Sequence, residues 1–338
     1  MSITTQTGLF DLGDFQVRSG ETMRGAQLSW KTYGTLSPAK DNVILYPTSF
    51  SAQHGDTEWL VGPGKILDTD KWYVIIPDMF GNGLSTSPSN SESYPSLVTA
   101  EDNVRAQYKM LESWGIGKVA CVYGWSMGAQ QAYHWAALYP EVVARVIVNC
   151  GSARTAPHNQ VFLHGLMALL EAAPEYQGNG RFSATPRASL RAFGRVYAGW
   201  AMSQRFYRDG LHLSRFDAKN LEDFLANNWD IRFAARHASN LYAHLKGWAA
   251  SDIAAALELG DDLPAALRSI RVPVLLMPGQ TDLYFRVADN EAELAHLKHG
   301  KLLPIPSFWG HLAGNPAKNE EDAAFIRKAV HEWLADGA

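Results

Sequence analysis

Hydrophobic positions along this chain follow two kinds of pattern. Short runs of β-branched and other apolar residues recur at Val43–Tyr46, Trp72–Ile76, Val119–Tyr123, Val143–Val148, Val272–Met277 and Leu302–Ile305. Most are apolar throughout rather than alternating, as strands covered on both faces must be. Helix-like segments separate many of them, which predicts crossover connections and a largely parallel sheet. Toward the end, Asn319 precedes Glu320, Glu321 and Asp322, acidic residues suited to the positive end of a helix dipole. Ile326, Ala329, Val330, Trp333 and Leu334 then share one helical stripe, so this helix is expected to pack on the sheet.

Residues 155–266 read differently. Strand-like runs are few there, Ala, Leu, Arg and aromatic residues are many, and helical periodicity shows in Leu221–Leu225 and Phe233–Trp248. Strand–turn signals at Val143–Gly151 and Val272–Gly279 bracket the region. The pattern predicts an α/β core made of residues 1–154 and 267–338, with residues 155–266 inserted as a helical cap. Such a cap would lie over the carboxyl ends of the strands, where open α/β sheets bind ligands.

Composition narrows the function classes. The chain has 338 residues, 46% of them hydrophobic, enough for a large core. A formal net charge of −4 provides no strong basic field for nucleic acid or an anionic membrane. Cys121 and Cys150 cannot make a disulfide framework, and no zinc-ligand spacing is present. The first residues lack the basic and apolar regions of a signal peptide, and no apolar run approaches the ~18 residues of a membrane span. The expectation is a soluble cytoplasmic protein with no cofactor or metal, acting on a small molecule.

The sharpest chemical signal is Gly124-Trp125-Ser126-Met127-Gly128, between the run Val119–Tyr123 and the helical stretch Ala129–Tyr139. G-x-S-x-G between a strand and a helix is a nucleophile elbow, a strained turn that exposes the serine hydroxyl. A bare match is a weak signal; the strand before it and the helix after it strengthen it. A nucleophilic serine needs a base, and the base needs an acid to orient it. Asp282 follows the strand-like run ending at Met277, and His311 follows Leu302–Ile305. Ser126, Asp282 and His311 thus come in the order this kind of elbow requires, each just past a strand end. Asp289 is the second choice of acid, but it lies deeper in the following helix-like segment. The other loop and helix histidines considered, His54, His296, His299 and His331, lack that position. Oxyanion donors are expected from the backbone of Met127 and from the loop Pro47–Ser51, with Phe50 first and Ser49 next. Gly62-Pro63-Gly64-Lys65 is no phosphate loop, because Pro63 removes a donor and the Walker spacing is absent.

Several blocks together resemble the homoserine O-acetyltransferase family of α/β-hydrolase-fold proteins. They are Gly62–Val74, Gly81–Ser89, Asn103–Gln107, the elbow with Gln131, and Gly279–Phe285, within a similarity spanning roughly residues 15 to 315. The resemblance implies an acyl-serine mechanism, a helical lid over a tunnel and often a homodimer. It also implies a substrate-binding arginine about seventy residues past the serine, a position Arg195 can match. The family's tyrosine seven positions later is Met202 here, and its amine-holding aspartate directly after the catalytic histidine is Leu312. Its second elbow glycine is Trp125. Arg195, Trp125 and Ser49 are therefore the candidate substrate-binding residues. A site without the acidic partner leaves a substrate ammonium unpaired, which favours hydrolysis of a small ester, thioester or amide. The alternatives are O-acyl transfer to homoserine or another alcohol, and a non-catalytic receptor on the same fold.

Overall fold

Eight strands and their connecting helices form a layered α/β arrangement in the computed structural model, which describes residues 3–335. The strands are β1 (Thr5–Gln16), β2 (Thr22–Tyr33), β3 (Val43–Leu45), β4 (Tyr73–Pro77), β5 (Cys121–Trp125), β6 (Val146–Asn149), β7 (Val274–Met277) and β8 (Gly300–Leu302). They lie in the order β1-β2-β4-β3-β5-β6-β7-β8. From β4 to β8 all neighbours are parallel, while β1–β2 and β2–β4 are antiparallel.

Burial explains the short apolar strands. Ile44, Cys121, Tyr123, Ile147, Leu275 and Met277 point into one core, which also holds Ile326 and Val330 of the helix Glu320–Ala335. The alternate residues Val43, Leu45, Val122, Val146, Val148 and Leu276 point into the other, against α1 (Ala100–Ser113) and α2 (Met127–Leu138). Period-2 alternation in β3–β7 thus sends their residues into one packed layer or the other, and no polar face remains to show in the sequence. Helix α1 starts at a capping box, with Thr99 accepting from the Asp102 amide and Asp102 accepting from the Thr99 amide.

Between β6 and β7 the chain is mainly helical, from α3 (Pro157–Glu171) and α4 (Arg187–Ala201) through to Leu263–Ser269. One part of it, Leu225–Asp230, is π-helical. The periodic stretch 233–248 is broken: the helix Ile231–Ala234 ends there and another runs from Ala238 to Ala249. Among the described residues no helix is long and apolar enough to cross a membrane.

Two features of the sheet depart from the sequence pattern. The long β1–β2 hairpin was not foreseen, since β1 is a largely exposed edge strand with register shifts around Gly13 and no apolar run. The last strand is Gly300–Leu302 rather than 302–305, with an isolated bridge joining Ile305 to Gly279. Pro304 has no N–H to donate and interrupts the ladder. Strand order reverses between β3 and β5, and the loops leaving those two strands meet there at the carboxyl edge.

Candidate active site

The turn after β5 holds Ser126 at φ 59° and ψ −126°, a conformation a side-chain-bearing residue rarely adopts. The flanking glycines make this turn possible. A Cβ on Gly124 would lie 2.0 Å from the Gly128 carbonyl oxygen, and one on Gly128 would lie 2.5 Å from that of Pro47. The G-x-S-x-G spacing is thus a packing requirement: strand, helix and the β3 loop approach too closely for any side chain.

Ser126 Oγ lies 2.9 Å from Nε2 of His311, and Nδ1 of His311 lies 2.7 Å from Oδ2 of Asp282. An ionised carboxylate can only accept, so the proton between His311 and Asp282 sits on Nδ1, and Nε2 is free to accept from the serine hydroxyl. Asp282 Oδ1 accepts from the amides of Tyr284 and Phe285 at 2.8 and 3.3 Å. Thr281 ties the two loops, accepting from the Gly310 amide and donating to the Ser307 carbonyl. All three side chains are buried, Ser126 at 1%, His311 at 2% and Asp282 at 4% exposure.

Aromatic rings surround the imidazole. Trp125 stacks on it at 4.9 Å and 24°, and its indole N–H donates to the His311 carbonyl at 3.3 Å. Tyr284 meets it edge-on at 4.9 Å. Cys150 Sγ lies within 4.8 Å of atoms of both Asp282 and His311, the one such cluster among the described residues. Both His311 nitrogens are already engaged, so a metal there would break the hydrogen-bonded chain. Burial and the nearby Asp282 carboxylate push the Cys150 thiol's pKa well up, keeping it protonated.

The loop after β3 borders the serine and is held from several sides. The Thr48 amide donates to the Pro77 carbonyl, and its carbonyl accepts from Gln131. Gln131 belongs to a buried chain in which Gln107 donates to it and accepts from Trp135. The Ser51 amide donates to Nδ1 of His244 at 3.1 Å, leaving Nε2 to donate to the Phe80 carbonyl at 3.0 Å. The Phe50 ring stacks on Tyr197 of α4 at 5.6 Å. Among the described residues, the Met127 and Phe50 amides donate to no acceptor within the protein.

A small cavity of about 10 Å³ touches Ser126 and His311 and is bordered by Ser49, Phe50, Trp125, Tyr197, Trp229, Arg232 and Leu312. It adjoins a vestibule of about 310 Å³ through Trp125, Trp229, Arg232 and Leu312, which line both. Of the candidate substrate-binding residues, Ser49 borders the small cavity and Trp125 borders both. Arg195 binds Asp230 and Glu222 on the outer side of α4 and lines neither cavity; the arginine at the cavity is Arg232. The reason is helical phase: the buried stripe of α4 runs through Leu190, Phe193, Tyr197 and Ala201, and position 195 points away from it. That stripe was readable in advance. Arg232 and Trp229 were not, because the π-helical turn shifts the register of their side chains.

A sequence profile of the alpha/beta hydrolase fold matches residues 64–314. The chain belongs to the α/β-hydrolase fold family, and within it to the branch containing homoserine O-acyltransferases and acetyl esterases. An ethyl acetate hydrolase from Pseudomonas veronii is 31% identical over 312 residues, covering 90% of this chain and 88% of the relative. A homoserine O-acetyltransferase from Leifsonia xyli subsp. xyli is 27% identical over 359 residues, covering 89% and 83%. The solved structure of an acetylester hydrolase from Corynebacterium glutamicum matches with a TM-score of 0.92 at 29% identity, covering 97% of this chain and 96% of that one.

Proposed function

We propose that this protein is a serine hydrolase of small esters, acting through an acyl-serine intermediate. The observation that carries the reading is the buried Ser126–His311–Asp282 hydrogen-bonded chain opening on a small cavity. Ser126 Oγ attacks the ester carbonyl while His311 Nε2 takes its proton, and Asp282 orients and stabilises the imidazolium. The Met127 and Phe50 amides, free of other acceptors, bind the oxyanion; such donors are worth about 3–4 kcal/mol each. The alcohol leaves with the proton from His311. Water then attacks the acyl-enzyme, with His311 again as base, and releases the acid. Trp125 forms one wall for the imidazole and another for the substrate. The cavity's size favours an acetyl-sized acyl group, in keeping with relatives named as hydrolases of ethyl acetate and acetyl esters. The two free, buried cysteines fit a reducing compartment, and we place the enzyme in the cytoplasm.

Acyl transfer to homoserine is the second reading, favoured by the transferase relatives. Against it, Leu312 lines the cavity where that reading calls for an amine-binding carboxylate. Incubation with acetyl-CoA, with and without homoserine, separates the two; efficient formation of O-acetylhomoserine would overturn hydrolysis. A fluorophosphonate probe should label the protein at Ser126, and Ser126→Ala should lose both labelling and ester turnover while keeping its circular dichroism. An unlabelled wild type beside a labelled control hydrolase would instead support a receptor.

A further inference from the structure

Among the described residues, Arg232 is an arginine without a partner. It lies in the short helix Ile231–Ala234, directly after the π-helical turn, and lines both the cavity at Ser126 and the vestibule. The carboxylates around it are engaged elsewhere: Asp230 and Glu222 bind Arg195, and Asp56 binds Arg236. Among the described residues, Arg232 makes no ion pair and no hydrogen bond through its guanidinium. Arg232 is exposed, on the wall shared by the vestibule and the small cavity, and desolvation lowers its pKa. The vestibule as a whole presents Arg232, Arg236 and Lys318 against one carboxylate, Asp56. The position is rigidly built. A Cβ on Gly194 would lie 2.6 Å from the Trp229 carbonyl oxygen, so α4 presses on the π turn, and Phe233 packs on Phe193 at 4.8 Å.

A guanidinium that borders both cavities with five idle donors favours an anion, and a planar carboxylate matches its fork. The cavity at Ser126 holds about one water-sized group, enough for the methyl of an acetyl group, so the rest of the ester must extend into the vestibule. We propose that Arg232 binds a carboxylate on the alcohol part of the substrate, so that the enzyme acts on acetate esters of short hydroxy acids. The inference rests on the serine-hydrolase reading. The reaction consumes water: its hydroxyl joins the acyl carbon, the C–O bond to the alcohol breaks, and the released hydroxy acid takes the proton.

The test compares kcat/KM for 3-acetoxypropanoate with that for 3-methylbutyl acetate, its uncharged isostere, and adds monoethyl succinate to place the charge on the acyl side. The wild type should favour 3-acetoxypropanoate. Arg232→Gln should lower the charged-to-neutral ratio at least tenfold, and Arg232→Lys should restore part of it. As a measurement free of folding effects, 3-hydroxypropanoate should inhibit wild-type turnover of 3-methylbutyl acetate at least tenfold more strongly than 3-methylbutanol does. An unchanged ratio in Arg232→Gln, equal inhibition by the two products, or a preference for monoethyl succinate would each overturn the inference. Turnover of 3-methylbutyl acetate with probe labelling at Ser126 reports on the serine mechanism separately. If these persist while Arg232 fails to discriminate, only the carboxylate site falls; if both are absent, the mechanism falls with it.

Discussion

Ser126 keeps its left-handed backbone only because its neighbours have no side chains to clash. Gly124 is the tighter of the two, since its Cβ would overlap the Gly128 peptide from carbonyl oxygen to carbon. Gly124→Ala should therefore cost about 3 kcal/mol or more, read as a lower urea midpoint or as insoluble protein. An alanine that left the midpoint unchanged would show that the turn can relax. Trp125 is a different kind of neighbour. It contributes a ring to the imidazole and a wall to the cavity, and its place beside the nucleophile was visible in the motif, although its stacking was not.

At the scale of elements, the loop after β3 depends on a helix far away in sequence. His244, on Ala238–Ala249, joins the Ser51 amide to the Phe80 carbonyl, and burial pushes its pKa down to about 4 from 6.5. As pH falls, the unfolded chain takes up this proton first, so stability drops between about pH 6.5 and 4 and levels off below. The full difference corresponds to roughly 3 kcal/mol. Buried Glu293, raised to about 7, acts in the opposite sense, losing stability as pH rises from about 4.5 to 7. Comparing urea unfolding of the wild type with His244→Gln at several pH values isolates the histidine, because Glu293 is common to both. The variant should be less stable at pH 7, with the gap narrowing toward pH 4; a constant gap would contradict the assignment.

At the scale of the whole molecule, the helical segments and the sheet share one core. Trp248 stacks on Phe285 at 5.8 Å, Phe206 meets Trp309 at 5.2 Å, and Phe50 stacks on Tyr197. These ring pairs link the segment between β6 and β7 to the loops that carry Asp282, His311 and the candidate oxyanion amide. Unfolding should accordingly be a single transition, with near-ultraviolet and far-ultraviolet circular dichroism giving the same midpoint. Two separated midpoints would mean that the helical segment melts independently of the site.

The central strands, the elbow and the order of Ser126, Asp282 and His311 were legible from residues alone, because each is a local requirement. A strand buried on both faces must be apolar, a strained serine turn must have glycines, and residues at strand ends must lie at one edge of a parallel sheet. The β1–β2 hairpin was not legible, since a solvated edge strand carries no apolar run. Which arginine reaches the cavity was decided only in three dimensions. Arg195 lies off the buried stripe of α4, and Arg232 enters through a π turn and the close approach that Gly194 permits. The local chemistry of the chain determined a serine-centred site; side-chain direction, helix register and the packing of distant segments determined what lies around it.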